Sequence, residues 1–195
     1  MSTFFFCRDV RLKGYKPIGD GIESTSDTPL RFLIDQTIIR GKASGGSLLL
    51  RIMCHGLPGY LQCCRGSVPH PTAGPGITAA DLPTFKSLRG GVARIELHSC
   101  LVARIGACPE ATALGHTVAY DGNAFCFRLA QATQAQVKAS IHVQWYRDGT
   151  FVGGKPTGSG IDFGHWNGRV FTWDGTGKIV DINDFPYQEL PAGSY

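Results

Sequence analysis

Short apolar runs of strand length alternate along this chain with stretches of helical periodicity. The runs occupy residues 3–7, 48–53, 93–100 and 137–145; the last alternates and is rich in β-branched residues. Between the first two, Leu30, Leu33, Ile34 and Ile38 recur at i, i+3, i+4 and i+8 behind Asp27-Thr28-Pro29. That spacing predicts an amphipathic helix with Pro at an early position, closed by Gly41 and Gly45-Gly46. Before the third run, Thr78-Ala-Ala-Asp81 predicts a capping box, with Phe85 and Leu88 facing a core, Pro83 keeping the helix short and Gly90-Gly91 ending it. Asp121-Gly-Asn-Ala-Phe125 opens a further helix with Phe125, Leu129 and Ala130 on one side. Strand, helix, strand in succession builds parallel sheets through right-handed crossovers. Residues 169–173 and 178–182, around Asp174-Gly-Thr-Gly177, read as a β-hairpin. Residues 10–27, 57–76 and 150–168 read as loops, and 101–118 carry no decisive pattern. No repeat or linker divides the chain, so the expectation is one α/β domain over residues 1–195.

Composition narrows the classes. With 195 residues, 43% hydrophobic and 17% charged, the chain carries enough apolar material for a sizeable core. The net charge of +4 comes without a dense Lys/Arg block, which argues against nucleic acid as a partner. No apolar run reaches membrane-spanning length. The start, Met1-Ser-Thr-Phe-Phe-Phe-Cys7, lacks a basic n-region and a long h-region. A cytoplasmic chain is expected, or one delivered into a target cell without a cleavable signal peptide. The seven cysteines are odd in number and several lie inside apolar runs. That pattern suits reduced, buried thiols better than a disulfide framework. Cys63-Cys64 follows Cys54-His55, yet no C-x2-C pair occurs and the spacing fits no common zinc site, so neither metal nor cofactor is expected.

Two of the runs end in chemically capable residues. Residues 48–53 lead into Cys54-His55-Gly56, and residues 93–98 into Ser99-Cys100. Catalytic residues collect where buried parallel strands end. Adjacent strands ending this way would put an imidazole beside a thiol, the minimum for thiol catalysis. This order resembles the caspase-like cysteine peptidases, among them caspases, legumains, gingipains, separases and the self-processing domains of large bacterial toxins. The 45-residue separation of His55 and Cys100 is close to the spacing of about 50 in caspases. Gly122-Asn-Ala-Phe, Leu129-Ala-Gln-Ala-Thr133 and Val137-Lys-Ala-Ser140 further resemble a bacterial caspase-like domain of unassigned function found in large surface proteins. The resemblance covers about residues 28–145. The caspase signature Gln-Ala-Cys-x-Gly is absent, since this chain reads His98-Ser-Cys100-Leu-Val102, so aspartate specificity does not carry over.

The resemblance implies a three-layer sandwich: a mostly parallel central sheet, helices on both faces and a C-terminal hairpin. It implies Cys100 as nucleophile and His55 as general base and acid. It also implies the N–H groups of Gly56 and Cys100 as oxyanion donors, and a substrate strand over 139–144 with Ser140, His142 and Gln144 as its binding positions. Against each stands a plainer role: a core thiol for Cys100, a strand-end histidine for His55. His98 shares a strand face with Cys100, His165 lies in the last loop, and Arg51, Arg65 and Arg147 would make a basic pocket only if the fold gathered them. Three readings follow. They are a cysteine endopeptidase acting on a peptide or protein, self-processing or an effector; a non-catalytic interaction module; and a cysteine-dependent amidase or deamidase. The oligomeric state is left open. If the cysteines are reduced, thiol titration in denaturant without reductant will count seven; a lower count would reveal a disulfide.

Overall fold

The computed structural model describes residues 3–12, 19–106, 108–109, 112, 115, 120–144, 151–152, 155–156 and 166–187. Strands β1 (Phe4–Asp9), β2 (Gly21–Ser24), β3 (Leu48–Met53), β6 (Val92–His98), β7 (Gln136–Ser140), β10 (Arg169–Trp173) and β11 (Ile179–Asp184) form one seven-stranded sheet in the order β11-β10-β7-β6-β3-β1-β2. β2, β1, β3, β6 and β7 pair parallel; β10 runs antiparallel to both β7 and β11. The hairpin thus extends the sheet as its sixth and seventh strands. Between β3 and β6, a small separate hairpin joins β4 (His55–Leu57) to β5 (Tyr60–Gln62), and β8 (Phe151–Val152) pairs with β9 (Lys155–Pro156). Strand β2 and these two hairpins lie in segments that the sequence pattern reads as loop, because each strand is only two to four residues long and too short for alternation to register.

Helix α1 (Leu30–Ala43), the short α2 (Leu82–Phe85) and α3 (Gly122–Thr133) follow the predicted starts. Thr78 and Asp81 form the expected capping box, and Asp121 caps α3 by accepting the Ala124 N–H at 2.9 Å. Pro29 stands at the N-cap of α1 without a side-chain cap; Leu30 N–H donates instead to Arg65 O at 3.1 Å, tying the helix start to the segment after β5.

Alternation along the strands sorts the sheet into two unlike faces. Phe5, Cys7, Leu50, Ile52, Ile95, Leu97, Val137 and Ala139 share one core with Leu33 and Ile34 of α1, Phe85 of α2 and Phe125 and Leu129 of α3. All three described helices therefore cover the same face. Among the described residues, α1, α2 and α3 make one layer on a mostly parallel sheet. The other face is mixed, with Phe6 and Met53 packed on Leu12 while Arg51, Glu96 and His98 lie side by side. A strand side chain on that face is half polar, so the apolar runs are less continuous than a doubly covered sheet demands.

Gly41, near the end of α1, packs on the Gly90–Gly91 turn; a Cβ there would lie 2.7 Å from Gly91 O. Gly41→Ala would gain about 1 kcal/mol of helix propensity, but a backbone oxygen cannot move aside as a side chain does, and overpacking costs about 1–3 kcal/mol. The variant is expected to unfold at lower denaturant concentration than the wild type, with an unchanged m-value.

Candidate functional site

Parallel pairing of β3 with β6 aligns Ile52 with Leu97 and Met53 with His98, so both strands finish at the same edge of the sheet. The chain continues from β3 through Cys54, whose N–H donates to His98 O at 3.4 Å, into His55-Gly56. It continues from β6 through Ser99 into Cys100. The two ends touch. A Cβ on Gly56 would lie 2.8 Å from Cys100 O, 2.9 Å from Ser99 Cβ and 3.1 Å from Tyr60 O. Glycine at 56 is thus required by the chain's own approach, a sufficient reason for it whether or not a substrate carbonyl binds there. Beneath this contact the Cys54 thiol and Ser99 hydroxyl lie 3.1 Å apart.

Cys100 is half-buried among Leu57, Tyr60, Leu101 and Cys108. Its thiol donates to Gln144 O at 3.6 Å, and burial raises its pKa to about 11. Leu101, which follows it, has φ of +60°, left-handed backbone rarely adopted by a leucine. Such a turn costs about 1–3 kcal/mol and persists only where the surroundings hold it. Here Leu101 N–H donates to His142 O at 3.0 Å and Ala103 N–H to Ser140 O at 3.1 Å. His55 is exposed at the start of β4. Its pKa is lowered by the chain packed around the ring and by the Arg11 cation, with Asp9 pulling the other way. A neutral imidazole at pH 7 is the form a general base needs. Arg11 is itself clamped on buried Asp9 at 2.8 Å and on Gln62 O. The strand ends therefore meet; the Cys100 thiol bonds Gln144 O, and the His55 ring lies within the electrostatic reach of Arg11 and Asp9.

The expected substrate strand has no free edge. β7 is hydrogen-bonded to β6 on one side and β10 on the other. Beyond it, Ile141 N–H donates to Arg169 O at 3.2 Å, and the carbonyls of Ser140 and His142 receive the turn after Cys100. Ser140 is buried, its hydroxyl donating to Asn167 O and Arg169 O. Gln144 is buried and locked to Asn167 by two hydrogen bonds, at 2.9 and 3.1 Å. His142, half-buried, packs on Tyr187. These three residues brace the turn that carries Cys100, and along Gln136–Ser140 the protein's own strands β6 and β10 occupy both sides.

The remaining sequence candidates separate. His98 lies on the face opposite α1, α2 and α3, stacked on Trp166 at 4.1 Å, with Nε2 3.5 Å from Glu96. Arg51 also bonds Glu96, at 2.8 and 3.0 Å, whereas Arg65 is exposed beyond β5. No Arg51–Arg65 pocket forms; His165 and Arg147 lie outside the described residues. All seven cysteines are thiols, and among the described residues no helix is long and apolar enough to cross a membrane. The pattern gave no hint that Cys7 meets Cys63 and Cys64, because only the β1–β3 pairing, unreadable locally, brings them together. Nor did it place Asp9 and Arg11 beside His55. Comparison with protein-family models, curated proteins and solved structures finds no match to this chain.

The Arg51–Glu96–His98 cluster makes stability depend on acid. Burial lowers the His98 pKa to about 4 from 6.5, despite the pull of Glu96. Burial would raise Glu96, but its bond to His98 and the charge of Arg51 prevail and lower it to about 2. Both folded values lie below the unfolded ones, so the stabilisation is complete above the unfolded pKa and is lost as pH falls. For His98 the loss runs from pH 6.5 to about 4 and amounts to on the order of 3 kcal/mol. Urea midpoints measured across that range are expected to fall in the wild type, and His98→Phe, which keeps a ring on Trp166, is expected to flatten the slope.

Proposed function

We propose that this chain is a cysteine-dependent hydrolase of amide bonds, an endopeptidase with Cys100 as nucleophile and His55 as base. The observation that carries the reading is the contact of Gly56 with Ser99–Cys100 at the shared edge of β3 and β6. It sets an imidazole-bearing and a thiol-bearing strand end against each other. The strained Leu101 turn, braced by Ser140 and His142, supports it, since such turns cluster at active sites.

In this reading His55 takes the Cys100 proton, and the sulfur attacks the substrate carbonyl carbon. The backbone N–H groups of Gly56 and Cys100 bind the oxyanion. The C–N bond breaks, the amine leaves with the proton from His55, and a water deprotonated by His55 hydrolyses the thioester. An amidase or deamidase would use the same steps on a side-chain amide. At a pKa of about 11 only ~1 in 10⁴ of the Cys100 sulfur is thiolate at pH 7. Attack therefore needs the bond to Gln144 O to open toward His55, and substrate is the natural agent of that opening. The Gln144 bond also favours a second reading, a non-catalytic caspase-like interaction module whose Cys100 is a structural donor.

Labelling with an electrophilic peptide separates the two. For the enzyme, Cys100 is modified ahead of the six buried cysteines, with a rate that rises through the pKa of His55, which lies below the ordinary histidine value. His55→Ala then slows labelling by about 10²–10⁴-fold without changing the far-UV spectrum. Equal rates in wild type and His55→Ala, both climbing only toward pH 11, would leave the module.

A further inference from the structure

We propose that Cys7, Cys63 and Cys64 form a binding site for one thiophilic d10 cation, with Zn2+ as the reference ion. Their three sulfur atoms lie within 4.8 Å of one another, and all three residues are buried. Metal–sulfur bonds of ~2.3 Å put thiolates ~3.8–4.0 Å apart in a tetrahedral or trigonal set. Each pair therefore needs to close by no more than about 1 Å.

The convergence is not what local structure would give. Consecutive residues leaving a strand point to opposite sides. Cys63 and Cys64 follow β5 directly, yet both sulfur atoms turn toward Cys7 of β1. The device is the backbone of Cys64, left-handed at φ +54°. Only glycine adopts that conformation freely. A buried cysteine held there, where glycine would serve the turn better, points to a role for its sulfur. The surroundings supply a fourth partner of either kind. The Cys7 thiol donates to the Ser24 hydroxyl oxygen at 3.4 Å, and Cys54 lies against Cys63 on the other side. Three thiolates on a divalent ion leave one net negative charge, so the neutral Ser24 hydroxyl is the better fourth ligand in a buried setting than a fourth thiolate. Binding displaces three thiol protons, and affinity falls as pH drops.

The test uses the full chain, refolded under reducing conditions with Zn2+, and separately with Cd2+, whose thiolate bonds absorb in the ultraviolet. The expected result is one equivalent of either ion retained against a competing chelator, a cadmium–thiolate band, and a raised melting temperature. Cys7→Ser and Cys64→Gly are each expected to weaken binding by at least ~100-fold, while Cys126→Ala binds as the wild type does. Cys64→Gly suits the left-handed backbone, so it keeps the fold and isolates loss of the ligand. Failure of the reduced wild type to retain either ion would overturn the site. So would an equivalent of metal that survives Cys64→Gly unchanged.

Discussion

The parallel pairing of β3 with β6 is the constraint on which the rest depends. Its register fixes where two strands stop, and the chain must then turn away from the edge in both places at once. Space at that edge is short enough that Gly56 cannot carry a Cβ. Everything near the candidate site adjusts to that crowding. Leu101 enters a left-handed turn, and its N–H finds the carbonyl of His142. Ser140 and Gln144 spend their polar groups on holding the receiving segment. Polar residues that the family resemblance would give to a substrate are engaged in holding the turn that carries Cys100.

The same alternation that builds the helix-covered core leaves a second face with a different physical character. There the sheet is held by a carboxylate between a guanidinium and an imidazole, with Trp166 laid over the ring. Burying charge is tolerable only when the partners are complete, and Glu96 has Arg51, His98 and, at 4.0 Å, Arg94. Apolar packing dominates one face, and an ionic set that responds to acid lies on the other. One sheet thus answers to two kinds of perturbation through its two sides.

The long periodic segments were legible in the sequence. The i, i+3, i+4 spacing from Leu30 and the capping residues Thr78 and Asp121 locate the helices because those signals are local and repeat. Strand ends bearing His55 and Cys100 were legible for the same reason. What pairs with what was not. The helix face is shared by α1, α2 and α3, a fact that depends on crossover geometry rather than on any one segment. Ala139 to Gln144 look like a strand, and nothing local says that Arg169 and the turn after Cys100 pack against that segment. Cys7 was read alone because 56 residues separate it from Cys63; strand order supplies that proximity. Left-handed backbone at Cys64 and Leu101 has no signature in residues that disfavour it.

The β3–β6 contact also has a kinetic meaning. The two strands are joined by the segment from Cys54 to Gly91, which includes a hairpin and a short helix of its own. Closing so long a connection before its contacts can reward it is slow, as non-local parallel pairing generally is. An unfolded or half-folded chain therefore holds its imidazole and its thiol apart as unremarkable side chains. The two strand ends come together only when β3 and β6 pair, so the edge they share is a property of the assembled sheet and of no shorter piece of the chain.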